Sequence, residues 1–310
     1  MRAAEQVQVP PADFQSYYGK PILKVTRWKE PHLPGYLFLG ELSGALAVVG
    51  AVAHATGRRS LARTARLAAT AGAYAGGATL ALELGRPERA LHMLRVAKPT
   101  SPMSMGSWIL SVHSALVSTA AASEVTGRLA GLGNAAGVAS AVTGPLLAAY
   151  PAVLLADTAV PAWHAAHREL PLLFVGGAMT AAGAAGLAAS AVSHDRSDFG
   201  AAYRLAMIGA AVESLGGYGL ETMPGLVGEP YRSGSGGQLL TAARYLTVSG
   251  GVAALAARGS RVAAVAAAAL LTGGGLCAKF AVLRAGKASA ADPKYVVASQ
   301  RPTASSHDGG

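Results

Sequence analysis

Few residues of this chain are equipped for chemistry, and most of those lie inside or beside strongly apolar stretches. Glu41, His113, Tyr150, Asp157 and Glu213 do so. Residues 82–111, LELGRPERALHMLRVAKPTSPMSMGSWILS, gather Glu83, Arg86, Glu88, Arg89, His92, Arg95 and Lys98 between two further apolar runs. Carboxylates and imidazoles accept or relay protons, and a phenol hydroxyl or ring nitrogen holds a polar headgroup. A carboxylate several residues inside a membrane helix costs roughly 2.5–3.5 kcal/mol on insertion scales, so it is normally found facing a bundle interior or a hydrated cavity.

The elements that must position these groups follow from composition. The chain has 310 residues, 52% hydrophobic and only 14% charged, with a mean hydropathy of +0.36. An ordinary soluble protein is nearer a quarter charged, so a membrane protein is the first expectation. The net charge of +10 is dispersed in short groups between apolar runs, with no basic helix or aromatic-basic module. That argues against a nucleic-acid partner and for charges flanking spans in a lipid bilayer. The single Cys277 excludes an internal disulfide and a cysteine-ligated iron-sulfur cluster, and reads as a packing residue. Residues 1–21 lack the apolar core of a signal peptide, which leaves insertion to the first span.

Eight segments are long and apolar enough to cross a bilayer: 35–54, 67–84, 105–123, 134–156, 171–193, 200–221, 239–257 and 262–283. The expected fold is therefore all-α, an integral membrane protein of eight transmembrane helices. Four parts are expected: a pre-span docking segment 1–34, a first four-helix bundle 35–157, a second 158–285, and a polar tail 286–310 whose last residues, 301–310, should be disordered. Gly72 and Gly76 give a small-xxx-small spacing that brings helix backbones close. An even span number puts both termini on one side, here called the N side. Lys and Arg are more numerous there, which points to a cytoplasmic N side in the cell membrane.

Depth follows from position at 1.5 Å per residue. Glu41 falls roughly 9 Å and His113 roughly 12 Å from the N-side edge of their spans. Tyr150 comes shortly before the N-side end of the fourth span, and Glu83 and Asp157 lie at N-side ends. These groups from the first four spans thus occupy one half of the membrane, whereas the other half of those spans holds only His54 and Glu124 near its edge. Glu213 also lies in the N-side half, and a bundle-holding pair with Arg244 or Lys279 is expected for it.

The 82–111 connection resembles the second-to-third-span connection of the NrfD family, which includes the polysulfide reductase membrane subunit. Its usual Asp-Leu-Gly-Arg-Pro pattern stands here as Glu83, Leu84, Gly85, Arg86, Pro87, followed by Ser101-Pro-Met-Ser and Gly106-Ser-Trp. YYGKPILKVTRW, LPGYLFLGELSGA, AYPAVLLADTAVPAWH, LPLLF and DPKYVV are similar as well. The resemblance implies an integral subunit that exchanges electrons between membrane quinol and a partner iron-sulfur subunit, itself attached to a molybdopterin-type catalytic subunit. It implies a quinone contact at Tyr150. A site formed by the first four helices would then use Tyr150, His113 and Glu41 around the headgroup, with Glu41 and Asp157 as proton acceptors and Glu83 and Glu213 on proton paths. Arg86, Arg89, Arg95 and Lys98, with Trp28 of the pre-span segment, would dock an acidic partner surface.

Each residue also has a structural reading. Glu83 and Asp157 could be interfacial, His113 hydrogen-bonded to a carbonyl or serine, Tyr150 part of an aromatic belt and Glu41 one half of an ion pair. No haem is expected, because His113 lacks a second deep histidine, and His164 with His167 reads as a loop pair and not a metal site. A proton or ion transporter using Glu41 and Glu213, or a passive membrane anchor, stands as the alternative to the redox subunit. A transporter would need a polar path reaching both faces.

Overall fold

A computed structural model describes residues 22–24, 26, 28–84, 86–193 and 196–300, with the backbone alone for Pro87, Arg89 and 298–300. Most of the expected pre-span segment, the Arg89 side chain and the 301–310 tail therefore lie outside the described residues. The helices are α1 (His32–Ala55), α2 (Arg59–Glu83), α3 (Pro102–Thr126), α4 (Ala130–Ala156), α5 (Pro161–Ala165), α6 (Glu169–Val192), α7 (Phe199–Thr222), α8 (Glu229–Arg232), α9 (Gly234–Ala256), α10 (Arg261–Ala291) and α11 (Pro293–Gln300). Short 3-10 segments cover Pro87–Leu94 and Leu226–Gly228, and no strand occurs among the described residues.

The architecture is that of an all-α, multi-pass membrane protein. Eight of the helices have 23 residues or more, and each overlaps one of the eight expected spans. Five of them, α1, α4, α6, α9 and α10, are long and apolar enough to cross a membrane by length and composition. The charged side chains of α2 and α7 and the serines of α3 dilute the apolar signal of the other three. Ser101 and Ser260 cap α3 and α10 by accepting from the Ser104 and Ala263 amides. Helix α10 runs past residue 283, where the expected last span ends. It continues to Ala291, and Trp163 packs on Gly286 and donates to the Val282 carbonyl at 2.7 Å.

Consecutive long helices run antiparallel. Gly35 at the start of α1 faces Thr79 near the end of α2, and Gly50 near the end of α1 faces Arg66 near the start of α2. Gly216 of α7 meets Leu173 of α6, and Gly236 of α9 meets Ala285 of α10. One end of the bundle, the near end, thus gathers the starts of α1, α3, α6 and α9 and the ends of α2, α4, α7 and α10. Helices α1 to α4 pack around one another, α6, α7, α9 and α10 do the same, and the groups join where α1 meets α6 and α10 and α4 meets α6.

Small residues set these distances. Gly44 of α1 and Gly144 of α4 touch backbone to backbone, so a side chain on either would strike the other's carbonyl. A Cβ on Gly72 would stand 3.2 Å from the Leu39 carbonyl oxygen, which puts the Gly72 and Gly76 face against α1. Lipid supplies no hydrophobic drive between helices, so such close van der Waals contact is a main source of cohesion.

The near end is stapled by residues 28–32, at the entry to α1. The Lys29 amide donates to Glu83 at 2.6 Å, and His32 lies 3.7 Å from the same carboxylate. Arg284 grips both Glu30 oxygens at 2.8–3.2 Å; its hydrogen bonds hold that carboxyl below the usual range. Trp28 stacks on Trp163 with ring centroids 5.4 Å apart. At the far end, buried Arg66 pairs with Glu124 and donates to Asn134 at 3.1 Å, tying α2, α3 and α4 together.

Candidate functional site

Tyr150 sits where α4 passes the start of α1, and its hydroxyl is hydrogen-bonded to that of Tyr36. Tyr36 is 2% exposed, whereas Tyr150 is only partly buried. The ring of Tyr150 lies on the backbone of α3 at Gly106, where a Cβ would come within 2.8 Å of its Cδ2. This gives Gly106 of the Gly-Ser-Trp motif a physical reason: only a missing side chain admits the tyrosine. Two phenol hydroxyls side by side offer two donors and two acceptors in one place.

His113 of α3 lies deeper, fully buried. Its Nε2 is 3.0 Å from the Ser43 hydroxyl, and its Nδ1 is 2.9 Å from the Thr143 hydroxyl. Ser43 donates to the Ala69 carbonyl at 2.7 Å, so it accepts from Nε2–H, while the Thr143 hydroxyl lies between Nδ1 and the Ser140 carbonyl, 3.2 Å away, with one proton to give to either. Both ring nitrogens are thereby engaged by hydroxyls from α1 and α4. At about 100° per residue, Tyr36 and Ser43 lie about 20° apart on α1, so the tyrosine pair and the histidine cluster share one α1 face.

Glu41 does not join them. It lies about 140° round the helix from Tyr36 and faces the second group of helices. Its carboxylate is 2.9 Å from the Lys279 ammonium of α10, and both side chains are completely enclosed. Glu213 of α7, 4% exposed, belongs to the same cluster. Gly177 of α6 gives all three room: a Cβ there would stand 2.8 Å from Lys279 Nζ, 3.1 Å from Glu41 Oε1 and 3.4 Å from Glu213 Oε1. Lys279 also lies over the Phe174 ring at 4.4 Å. Two carboxylates share one ammonium, so the cluster is electrically neutral only when it holds one further proton. Among the described residues none of the three has a well-directed hydrogen bond, and open valences at a buried site mark a strained or functional one.

The expected pairing of Glu213 thus resolves in part. Lys279 goes to Glu41 with Glu213 beside it, while Arg244 pairs with Glu221 at 2.6 Å. A cavity of about 310 Å³ between α7 and α9 reaches from that surface pair to Glu213, past Leu173, Tyr218 and Thr247. This cavity lies outside the first four helices.

The remaining candidates occupy the near end. Glu83 is committed to Lys29 and His32, and Asp157 is exposed at the end of α4. Arg86, Arg95 and Lys98 are exposed, whereas Trp28 is half-buried against Trp163. Sequence reasoning overlooked Tyr36, Ser43 and Thr143, and it weighed Lys279 as a partner for Glu213 alone. The seven-residue spacing of Tyr36 and Ser43 was a usable signal, since it puts two polar groups on one face of an apolar helix.

The family model described as polysulphide reductase, NrfD, matches residues 26–213 of the chain. The match takes in the tyrosine pair, the histidine cluster, Glu41 and Glu213, and stops short of Lys279. A comparison with curated proteins finds no match.

Proposed function

Because the chain belongs to the NrfD family of polysulphide reductase membrane subunits, we propose that it is the quinone-reactive membrane subunit of a multisubunit oxidoreductase. In this reading it exchanges electrons between membrane quinol and an iron-sulfur subunit docked at the near end, which in turn serves a molybdopterin-type catalytic subunit. The observation that carries the reading is the Tyr36–Tyr150 hydroxyl pair, held between α1 and α4 with Tyr150 at the more open edge. The donor set fits a quinone: each hydroxyl gives up its bond to the other and turns to a headgroup oxygen.

Oxidation of a quinol to a quinone releases two electrons and two protons. The electrons leave for the iron-sulfur partner, and exposed Arg86, Arg95 and Lys98 face its acidic surface. Asp157, about 10 Å along α4 from Tyr150, takes a proton toward the near end. Glu41 and Glu213, through their shared Lys279, take and return the proton that makes their cluster neutral. His113 keeps Ser43 and Thr143 as partners one layer deeper, and yields one of them when a headgroup oxygen reaches it. Glu83 holds the lip of the site through Lys29 and His32.

All eight long helices cross the membrane in this reading, and both termini share the near, cytoplasmic side. Single cysteines at positions 95 and 128, introduced in turn into a Cys277→Ser background, should react with impermeant thiol reagents from opposite faces. Labelling of both from one face contradicts the eight-span arrangement.

Mild-detergent purification of the intact complex should yield co-eluting subunits that contain iron and molybdenum. Within that complex Tyr150→Phe should assemble normally and weaken quinone binding a few-fold to about tenfold, the loss of one neutral hydrogen bond at roughly 0.5–1.5 kcal/mol. The buried Glu41–Lys279–Glu213 cluster favours a second reading, ion or proton movement without redox chemistry. A chain that elutes without partners and moves protons or ions in liposomes would replace the redox reading with that one.

A further inference from the structure

At the far end, an open concavity of about 650 Å³ lies between the start of α7 and the end of α9. Arg196, Arg204 and Arg258 line it, with Phe199 and Leu255 among its apolar walls. Arg196 is fixed in place: it donates to the carbonyls of Ala257 at 2.6 Å and Arg258 at 3.0 Å, and its guanidinium lies 4.8 Å above the Phe199 ring. Tyr203 stacks with Phe199 at 6.1 Å. Arg204 and Arg258 are exposed, and no carboxylate among the described residues lies within ion-pair distance of either. Three guanidiniums therefore line one concavity, and the carboxylate at the α7 N-cap, Asp198, is taken up by Arg58 at 3.1 Å. The first turn of α7 adds the positive end of its helix dipole.

The geometry points to a binding site for the phosphodiester headgroup of an anionic phospholipid. Its position selects lipid over a soluble anion. Arg204 is about 7 Å inside the α7 start, while Arg258 lies just beyond the end of α9, so the two bracket the level at which helix ends meet headgroups. Below the pocket the same helices turn apolar side chains outward: Ile208 is 54%, Val252 62% and Leu255 63% exposed. Ile208 follows Arg204 by one turn of α7, and Val252 precedes Leu255 by one turn of α9, so acyl chains run down these faces from a phosphate held above. Basic pockets between spanning helices hold anionic headgroups by this combination of charge and apolar track. The inference needs only that α7 and α9 span the bilayer, and it is independent of the quinone reading.

The test is lipid titration of the purified full chain, or of its intact complex, read by native mass spectrometry. Phosphatidylglycerol should bind saturably and phosphatidylcholine should not, and inorganic phosphate should fail to displace the lipid. Arg204→Gln and Arg258→Gln should each weaken phosphatidylglycerol binding about fivefold, and the double variant about 25-fold, while Arg204→Lys retains most of it. Equal binding of both lipids by the wild-type protein overturns the proposal. So does wild-type phosphatidylglycerol affinity in the double variant. Displacement by inorganic phosphate overturns it in favour of a soluble-anion site. If the double variant fails to fold, the wild-type comparison of the two lipids decides.

Discussion

Lys279→Met is expected to destabilise the protein by about 3–5 kcal/mol, the usual cost of removing one member of a buried charge pair. The loss goes beyond one contact. Glu41, 2.9 Å from the ammonium, and Glu213 beside it would be left as two carboxylates in a site where neither is more than 4% exposed. No second cation compensates them: Phe174 and Gly177 supply only ring and backbone, and Thr180 a neutral hydroxyl beside Glu213. Unfolding in mixed micelles with rising sodium dodecyl sulfate gives the measurement. Adding Glu41→Gln to Lys279→Met should then recover roughly 0.5–3 kcal/mol, the coupling expected of neighbours in one network. A Lys279→Met protein as stable as wild type, or a double variant with no recovery, would show that the ammonium does not neutralise this site.

Glu41→Gln alone should behave differently. It leaves Lys279 facing Glu213, a pair neutral without a further proton, so the fold should lose less than in Lys279→Met. What disappears is the group able to take up a proton as the cluster's charge changes. If quinol oxidation delivers a proton there, quinone-linked turnover of the assembled complex should fall about 10²- to 10⁴-fold, the usual range for loss of a general base. Electron transfer from an artificial donor directly to the partner subunits should stay near the wild-type rate, because it bypasses the membrane site. Wild-type quinone turnover in a fully assembled Glu41→Gln complex would return Glu41 to a purely structural role. The contrast with Tyr150→Phe is informative in size. That variant removes one hydrogen bond from a headgroup site, whereas Glu41→Gln removes a proton acceptor.

Much of the molecule was legible from the order of its residues. Runs of apolar side chains about 20 residues long, separated by charged connections, foretell helices because a backbone in lipid must satisfy its own hydrogen bonds. The eight long helices fall where those runs fall, and the 82–111 motif already carried the family. Glu41, His113 and Glu213 could be recognised as buried polar groups, since each stands well inside an apolar run and has nowhere to go but the bundle interior. What sequence position supplies is depth along the membrane normal. The azimuth of a side chain on its helix, and the helix it meets there, depend on how the bundle closes.

That distinction explains the grouping the sequence missed. Glu41 and His113 stand at similar depths, yet α1 turns Tyr36 and Ser43 toward α3 and α4 and Glu41 toward α6 and α10. The same azimuth explains why Lys279 found Glu41, a partner about three quarters of the chain away, with Gly177 leaving space between the two helix groups. Trp28, expected as a docking residue, stacks on Trp163 because the near end folds residues 28–32 back over α2 and α10 through Glu83 and Arg284. The sequence by itself determined which stretches enter the membrane and how deep each polar group lies, because hydrophobic transfer and helical rise act locally along the chain. Only the tertiary structure decided that these groups form two separate sites, a tyrosine and histidine layer and a carboxylate–ammonium cluster. The reason is that helix-to-helix packing, set by glycines such as Gly44, Gly144 and Gly177, selects which faces meet.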